Sequence, residues 1–209
     1  MGIQDRKRRE RENRRRQILR AAHKIFSIRG FTKTTMEDIA REAELSPGTL
    51  YLYFKNKDEL YASLSVEVLQ RLYEKLKLVY IREARNSNVR IDLLKQSLYD
   101  VYRVDPLILL NLFHLQSSEI LKNLAPPTLT TIRDLSKKSL EIISKIFEEG
   151  IEKKAFIEKQ PAALSDVMWA LFSGVVLWEE SKRIIRNQGE VNFPAFDTAF
   201  EIFARGIAR

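Results

Sequence analysis

The chain has 209 residues, 44% of them apolar, and a formal net charge of +8. Seven Gly, six Pro and no Cys argue against a β-rich or disordered chain, a disulfide framework and a thiolate metal site. The first sixteen residues are charged and lack an apolar centre, so no signal peptide is expected. No apolar run is expected to reach the roughly 18 residues of a bilayer span, which points to the cytoplasm.

The charge is uneven. Residues 1–60 hold fifteen Lys and Arg against nine Asp and Glu, so most of the positive excess lies there. That is the electrostatic footprint of a nucleic-acid-binding segment. The plainer alternative is a solvated surface with extra cations.

In chain order, residues 1–13 read as a basic flexible arm. Arg6, Lys7, Arg8, Arg9 and Arg11 suit phosphates or a minor groove, or belong to a loose tail. Residues 14–60 read as a helical module. Its first helix, 14–29, carries the apolar stripe Ile18, Ala22, Ile25 and Phe26 at helical spacing, with Arg14, Arg15 and Arg16 available to phosphate. His23 reads as a solvated residue. Gly30 is expected to end the helix in a left-handed conformation, with Phe31 packing back. Thr35 and Asp38 make a capping box, and Met36, Ile39, Ala40 and Ala43 a core stripe. Glu44-Leu45 is a turn.

Ser46-Pro47-Gly48-Thr49-Leu50-Tyr51-Leu52-Tyr53-Phe54 then reads as a very short helix. Ser46 suits the N-cap and Pro47 the first helical position. Gly48 lets another surface approach the backbone, and Leu50 points inward. Such a helix stabilises little; it makes sense if its first turn enters a groove. Helix, tight turn and short helix over residues 35–54 form a helix-turn-helix, whose second helix enters the DNA major groove. A plain structural hairpin is the competing reading. Asn56 caps the next helix. Lys57, at a helix N-terminus where a cation is disfavoured, would suit a phosphate.

The runs Gly30 to Ala43 and Ser46 to Leu60 closely resemble the DNA-binding domain of the tetracycline-repressor (TetR/AcrR-type) family of transcriptional regulators. The resemblance covers about residues 14 to 62. It implies backbone contacts by Thr35, Tyr53, Lys55 and Lys57. It places Pro47, Gly48, Thr49 and Tyr51, led by the capping Ser46, nearest the base edges. Backbone contacts position, whereas base contacts specify. It also implies a homodimer on a palindromic operator.

Residues 61–209 read as a helical ligand-binding and dimerisation domain, completing an all-α fold. Leu60, Leu64, Val68, Leu72, Leu76 and Val79 carry one long helix past residue 80, a lever between the two parts. A polar break at 85–88 precedes a helix over 89–103. Asp105-Pro106 opens a helix with an apolar surface nearly all round. A break at 125–127 is followed by helices over 128–154, 162–186 and 195–208, with loops at 156–161 and 187–194. Ala163, Ala170, Ser173 and Gly174, with Phe196, Phe200 and Phe203, suit a four-helix interface between two subunits, or packing within one chain. Tyr99, Tyr102, Phe113, His114, Gln116, Trp169, Phe172 and Trp178 suit an apolar cavity with a few polar groups; they equally suit an ordinary core.

Catalysis finds no support. The two His, 23 and 114, lie in different parts, and no Ser sits in a G-x-S-x-G elbow. There is no P-loop, G-x-G-x-x-G or H-E-x-x-H. The pairs Glu148/Glu149 and Glu179/Glu180 are adjacent on helices and face different ways. No catalytic, metal or cofactor residue is assigned. The expected function is a homodimeric repressor released by a small hydrophobic inducer. The alternative is an architectural DNA-binding or adaptor protein without a ligand.

Overall fold

The first helix, α1 (Ile3–Lys33), begins well before the expected residue 14. The computed structural model describes residues 2–82, 86–104, 106, 109–110, 112–113, 124–186 and 194–209. Residues 3–16 are helical because Arg, Lys, Gln and Glu are good helix formers and because Arg6–Glu10 and Arg8–Asp5 pair along the helix. They bury nothing: every residue from Gly2 to Arg16 is exposed. The expected arm is therefore a solvated helical spur. The buried stripe starts at Ile18 and runs through Leu19, Ala22, Ile25 and Phe26. His23, expected to be solvated, is half-buried. Gly30 interrupts α1 with φ 74° and ψ 166°. The positive φ was expected; the extended ψ was not, and it lets one more helical turn follow. Phe31 folds back onto Phe26 and Tyr61, with ring centroids 5.7 and 4.5 Å apart. Burial pushes the Tyr61 phenol well above its ordinary pKa.

The chain continues through α2 (Met36–Glu42), α3 (Pro47–Tyr51), α4 (Lys57–Ile81), α5 (Ser87–Val104), α6 (Pro126–Glu152), α7 (Pro161–Arg186) and α8 (Pro194–Ile207). Among the described residues the only β pairing is an isolated bridge between Phe156 and Ala208. Pro126 and Pro127, expected to break the chain, form the first turn of α6, where missing N–H groups cost nothing. Pro106, Leu109, Leu110, Leu112 and Phe113 are helical; the expected cap at Asp105 lies outside the described residues.

Helix α4 joins the two parts. Tyr61 meets Phe26 edge-on, and Ser63 accepts a hydrogen bond from Arg15 of α1. Further along, α4 packs most extensively on α6 and also on α5. Leu60, Leu69, Leu72 and Leu76 are essentially inaccessible, each contributing on the order of 2 kcal/mol by burial. At the far end, the Ile157 N–H donates to Ile207 O (2.8 Å) and the Arg209 N–H to Ala155 O (3.1 Å). These bonds pin the chain after α8 to the segment after α6, which the sequence reads as a plain loop.

One expectation is overturned. Pro161–Lys182 within α7 is long and apolar enough to cross a membrane. The reason is that α7 is apolar on two faces. Leu164, Met168, Phe172 and Val176 are buried in the core, while Ala163, Val167, Ala170, Gly174 and Trp178 stand exposed.

Candidate functional site

The α2–α3 unit is assembled by local chemistry. Thr35 Oγ1 accepts from the Asp38 N–H at 3.1 Å, and Asp38 Oδ2 accepts from the Thr35 N–H at 3.2 Å. The hydrogen bonds from Thr35 hold the Asp38 carboxyl below its ordinary pKa, with help from the Arg29 guanidinium. At the other end of α2, the Leu45 N–H reaches back to Ala40 O and the Glu44 N–H to Arg41 O, a Schellman-type stop. Glu44 takes the left-handed position, with φ 54°. The turn is also held from α1, because Gln17 Nε2 donates to Ala43 O at 2.7 Å.

Helix α3 then presents its first turn outward. Ser46 Oγ accepts from the Thr49 N–H at 3.1 Å and lies 2.8 Å from Thr49 Oγ1. Ser46, Pro47 and Gly48 are exposed, Thr49 is half-buried, and Tyr51 is 48% exposed. Leu50 is fully buried and fixes the roll of the helix. A Cβ on Gly48 would come no nearer than 4.0 Å to Ser46 Oγ, so nothing inside the protein requires glycine there. Thr35 and Lys55 are exposed and Tyr53 is half-buried. Thr35, Ser46, Pro47, Gly48, Thr49, Tyr51, Tyr53 and Lys55 thus lie on one helix-turn-helix unit.

Lys57 stands apart. Its Nζ donates to Phe31 O (2.8 Å) and Thr34 O (2.9 Å), and it sits 4.4 Å from the Phe31 ring centroid. In the chain without DNA the ammonium is taken up by carbonyls that end α1, a tie the sequence reading does not include. Arg15 is likewise engaged: it bonds to Ser63 and lies 4.7 Å from the Phe54 centroid. Both ties were hidden in the sequence because each joins residues far apart in the chain.

Among the described residues, the expected ligand residues do not all face one interior. Phe113, Trp169, Phe172 and Phe196 make a cluster of edge-to-face and tilted ring pairs with centroid spacings of 5.7–6.1 Å, and Tyr99 packs on Phe196. The Tyr102 hydroxyl donates to Glu180 Oε1 at 2.5 Å. Trp178 is 60% exposed on the outer face of α7, so it lines no interior. His114 and Gln116 lie outside the described residues. A small space of about 20 Å³ does exist, lined by Leu69, Leu72, Ser136, Ser139, Leu140 and Trp169. The Ser136 and Ser139 hydroxyls are buried there without a hydrogen-bond partner. Sequence reasoning missed them; two Ser three apart within the apolar stripe of α6 were the available signal. Among the described residues no cluster of His, Cys, Asp or Glu could hold a metal.

Residues 18–64 match a family model described as bacterial regulatory proteins, tetR family. These residues carry the N-terminal domain of that family. The HTH-type transcriptional regulator HbdR of Aromatoleum sp. (strain CIB) is 51% identical over 49 residues, 23% of this chain and 21% of that one. The chain therefore spans about a fifth of that relative's length. The fatty acid metabolism regulator protein of Bacillus subtilis (strain 168) is 26% identical over 137 residues, covering 65% of this chain and 67% of that protein. A tetR-family regulator, PfmR of Thermus thermophilus, shares the fold with a TM-score of 0.71 at 20% identity, over 92% of this chain and 99% of that one. The regulator FadR of B. subtilis in complex with stearoyl-CoA gives 0.68 at 20% identity, over 91% and 98%.

Proposed function

We propose that this protein is a sequence-specific transcriptional repressor that binds a palindromic operator as a cytoplasmic homodimer and is released by a long-chain acyl ligand. The observation that carries the reading is α3: a five-residue helix whose first turn is bare while Leu50 anchors its other side. Its shape fits insertion into a major groove. Tyr51 and Thr49 read base edges. Ser46 orients the Thr49 hydroxyl, leaving the Thr49 methyl for apolar contact with a thymine methyl. Thr35, Tyr53 and Lys55 hold the backbone. Lys57 supports them indirectly, by fixing the α1–α2 junction.

The exposed stripe of α7 favours the dimer. Val167 (53% exposed) and Trp178 line it, and Ile202 of α8 is 67% exposed. A Cβ on Gly174 would meet nothing within 4 Å, which leaves room for a second backbone. Apolar patches of this kind mark interfaces, and a two-fold pair of α7–α8 faces gives a four-helix seam.

The ligand class rests on the named relatives and on the space between α4, α6 and α7. An apolar chain entering beside Trp169, with Ser136 and Ser139 as polar partners, would spread α4 from α6. Because the head of α4 packs on α1, and α1 holds the α2–α3 turn through Gln17, that displacement moves the recognition helix. The ligand must favour the displaced state by its differential affinity.

Selection of bound sequences from a random duplex pool tests the reading. A palindromic motif, lost on adding stearoyl-CoA, is expected. Uniform binding without enrichment would instead favour an architectural DNA-coating protein, the second reading.

A further inference from the structure

We infer that the spur of α1 is a second, sequence-independent DNA contact, which grips the phosphates flanking each half-site along one helical face. The inference rests on the DNA-binding reading and adds a surface that the helix-turn-helix does not include. Residues 3–20 hold nine Lys and Arg against three acids. They do not spread evenly. Lys7, Arg11, Arg14 and Arg20 line, together with Tyr53, one open groove of about 710 Å³, whose one acid, Glu10, is paired with Arg6. Tyr53 belongs to the segment that follows the recognition helix. The groove is therefore continuous with the proposed DNA face.

The helix places this face firmly. Gln17 lies on it and is bonded to Ala43 O in the helix-turn-helix turn, so the same face of α1 that holds the turn extends outward as a basic rail. Among the described residues Lys7, Arg11 and Arg20 make no ion pair. Arg6, Arg8, Arg9 and Arg16, by contrast, are occupied along the helix by Glu10, Asp5 and Asn13. Cations left unpaired on one side of a rigid rod suit a polyanion. From Gln17 back to Lys7 the rod rises about 15 Å, roughly four steps of 3.4 Å along a DNA strand. A lipid surface fits poorly, because an interfacial helix needs an apolar face, and Ile3 is the only large apolar residue between Gly2 and Gln17.

The test compares two double variants of the full chain. Lys7→Gln with Arg11→Gln alters the groove face. Arg9→Gln with Arg16→Gln removes the same charge from the opposite face. Glutamine keeps the helix. Each protein is titrated with a duplex containing only the selected palindrome and with one carrying ten further base pairs on each side, across a salt series. Wild type is expected to bind the longer duplex about tenfold or more tightly. The groove-face variant should lose most of that gain and lower the salt slope by about two, with unchanged sequence preference and circular dichroism. The opposite-face variant should keep most of the gain. Equal binding of both duplexes by wild type, or equal losses in the two variants, overturns the inference. Failure of wild type to enrich any duplex overturns the DNA-binding reading itself, and this inference with it.

Discussion

At the scale of single residues, the contrast between Lys57 and Tyr51 is the most testable. Lys57 gives its ammonium to two carbonyls and to the Phe31 ring. Lys57→Met should cost about 2 kcal/mol of stability in thermal or urea unfolding, since hydrogen bonds to a charged group are worth about 1.5–3 kcal/mol. The salt slope of DNA binding should stay unchanged; a fall of about one would return Lys57 to the phosphates. Tyr51 is half in solvent and props up nothing. Tyr51→Ala should leave the melting curve in place and relax discrimination at one or two base pairs, by about 1–3 kcal/mol, read from competition with single-base operator variants. The sequence made much of this site readable. Ser46, Thr35 and Asn56 each announce a helix start, and all three caps form. For Lys57 the nearest features in sequence suggest an anion. The carbonyls it meets in the fold sit more than twenty positions upstream, where only the tertiary structure brings them.

Among the elements, α6 carries a constraint that no periodicity discloses. Gly150 lies on α6, directly under the Phe156 ring, and a Cβ at 150 would overlap that ring. Phe156 is buried, packs against Phe147 and bridges to Ala208. Gly150→Ala should therefore destabilise the protein by about 1–3 kcal/mol through overpacking, despite alanine's better helix propensity. A melting temperature equal to or above wild type would show that the ring shifts freely. Helix existence and order were largely readable from apolar spacing, since α4, α6 and α7 each repeat at three or four. Their ends were less so. Prolines 126 and 127 can either stop a helix or start one, and only the packing of α6 on α4 decides. The N-terminal spur was unreadable from hydrophobic periodicity because it has none; propensity and charge pairing alone keep it helical. The ligand residues were the least legible. Aromatic residues at helical spacing are equally apt for a core or a cavity wall, and here Phe113, Trp169 and Phe172 pack on one another.

For the whole molecule, the outer stripe of α7 decides assembly. Val167→Glu with Ala170→Glu should leave the fold intact, because both side chains face solvent. It should halve the mass in sedimentation and weaken binding to a palindrome far more than to a single half-site. A variant that remains dimeric would place the interface elsewhere. The sequence suggests two functional parts meeting near residue 60, and α4 runs without a break across that point. One uninterrupted α4 contributes Tyr61 to the side facing α1 and Leu69 and Leu72 to the side facing α6. Severing the chain near residue 62 would strip the reading head of the rod it leans on and leave a greasy scar on the remainder. Heating should thus produce one calorimetric peak, with head and body melting together. A mutation deep in the body would then loosen grip on an operator it never touches.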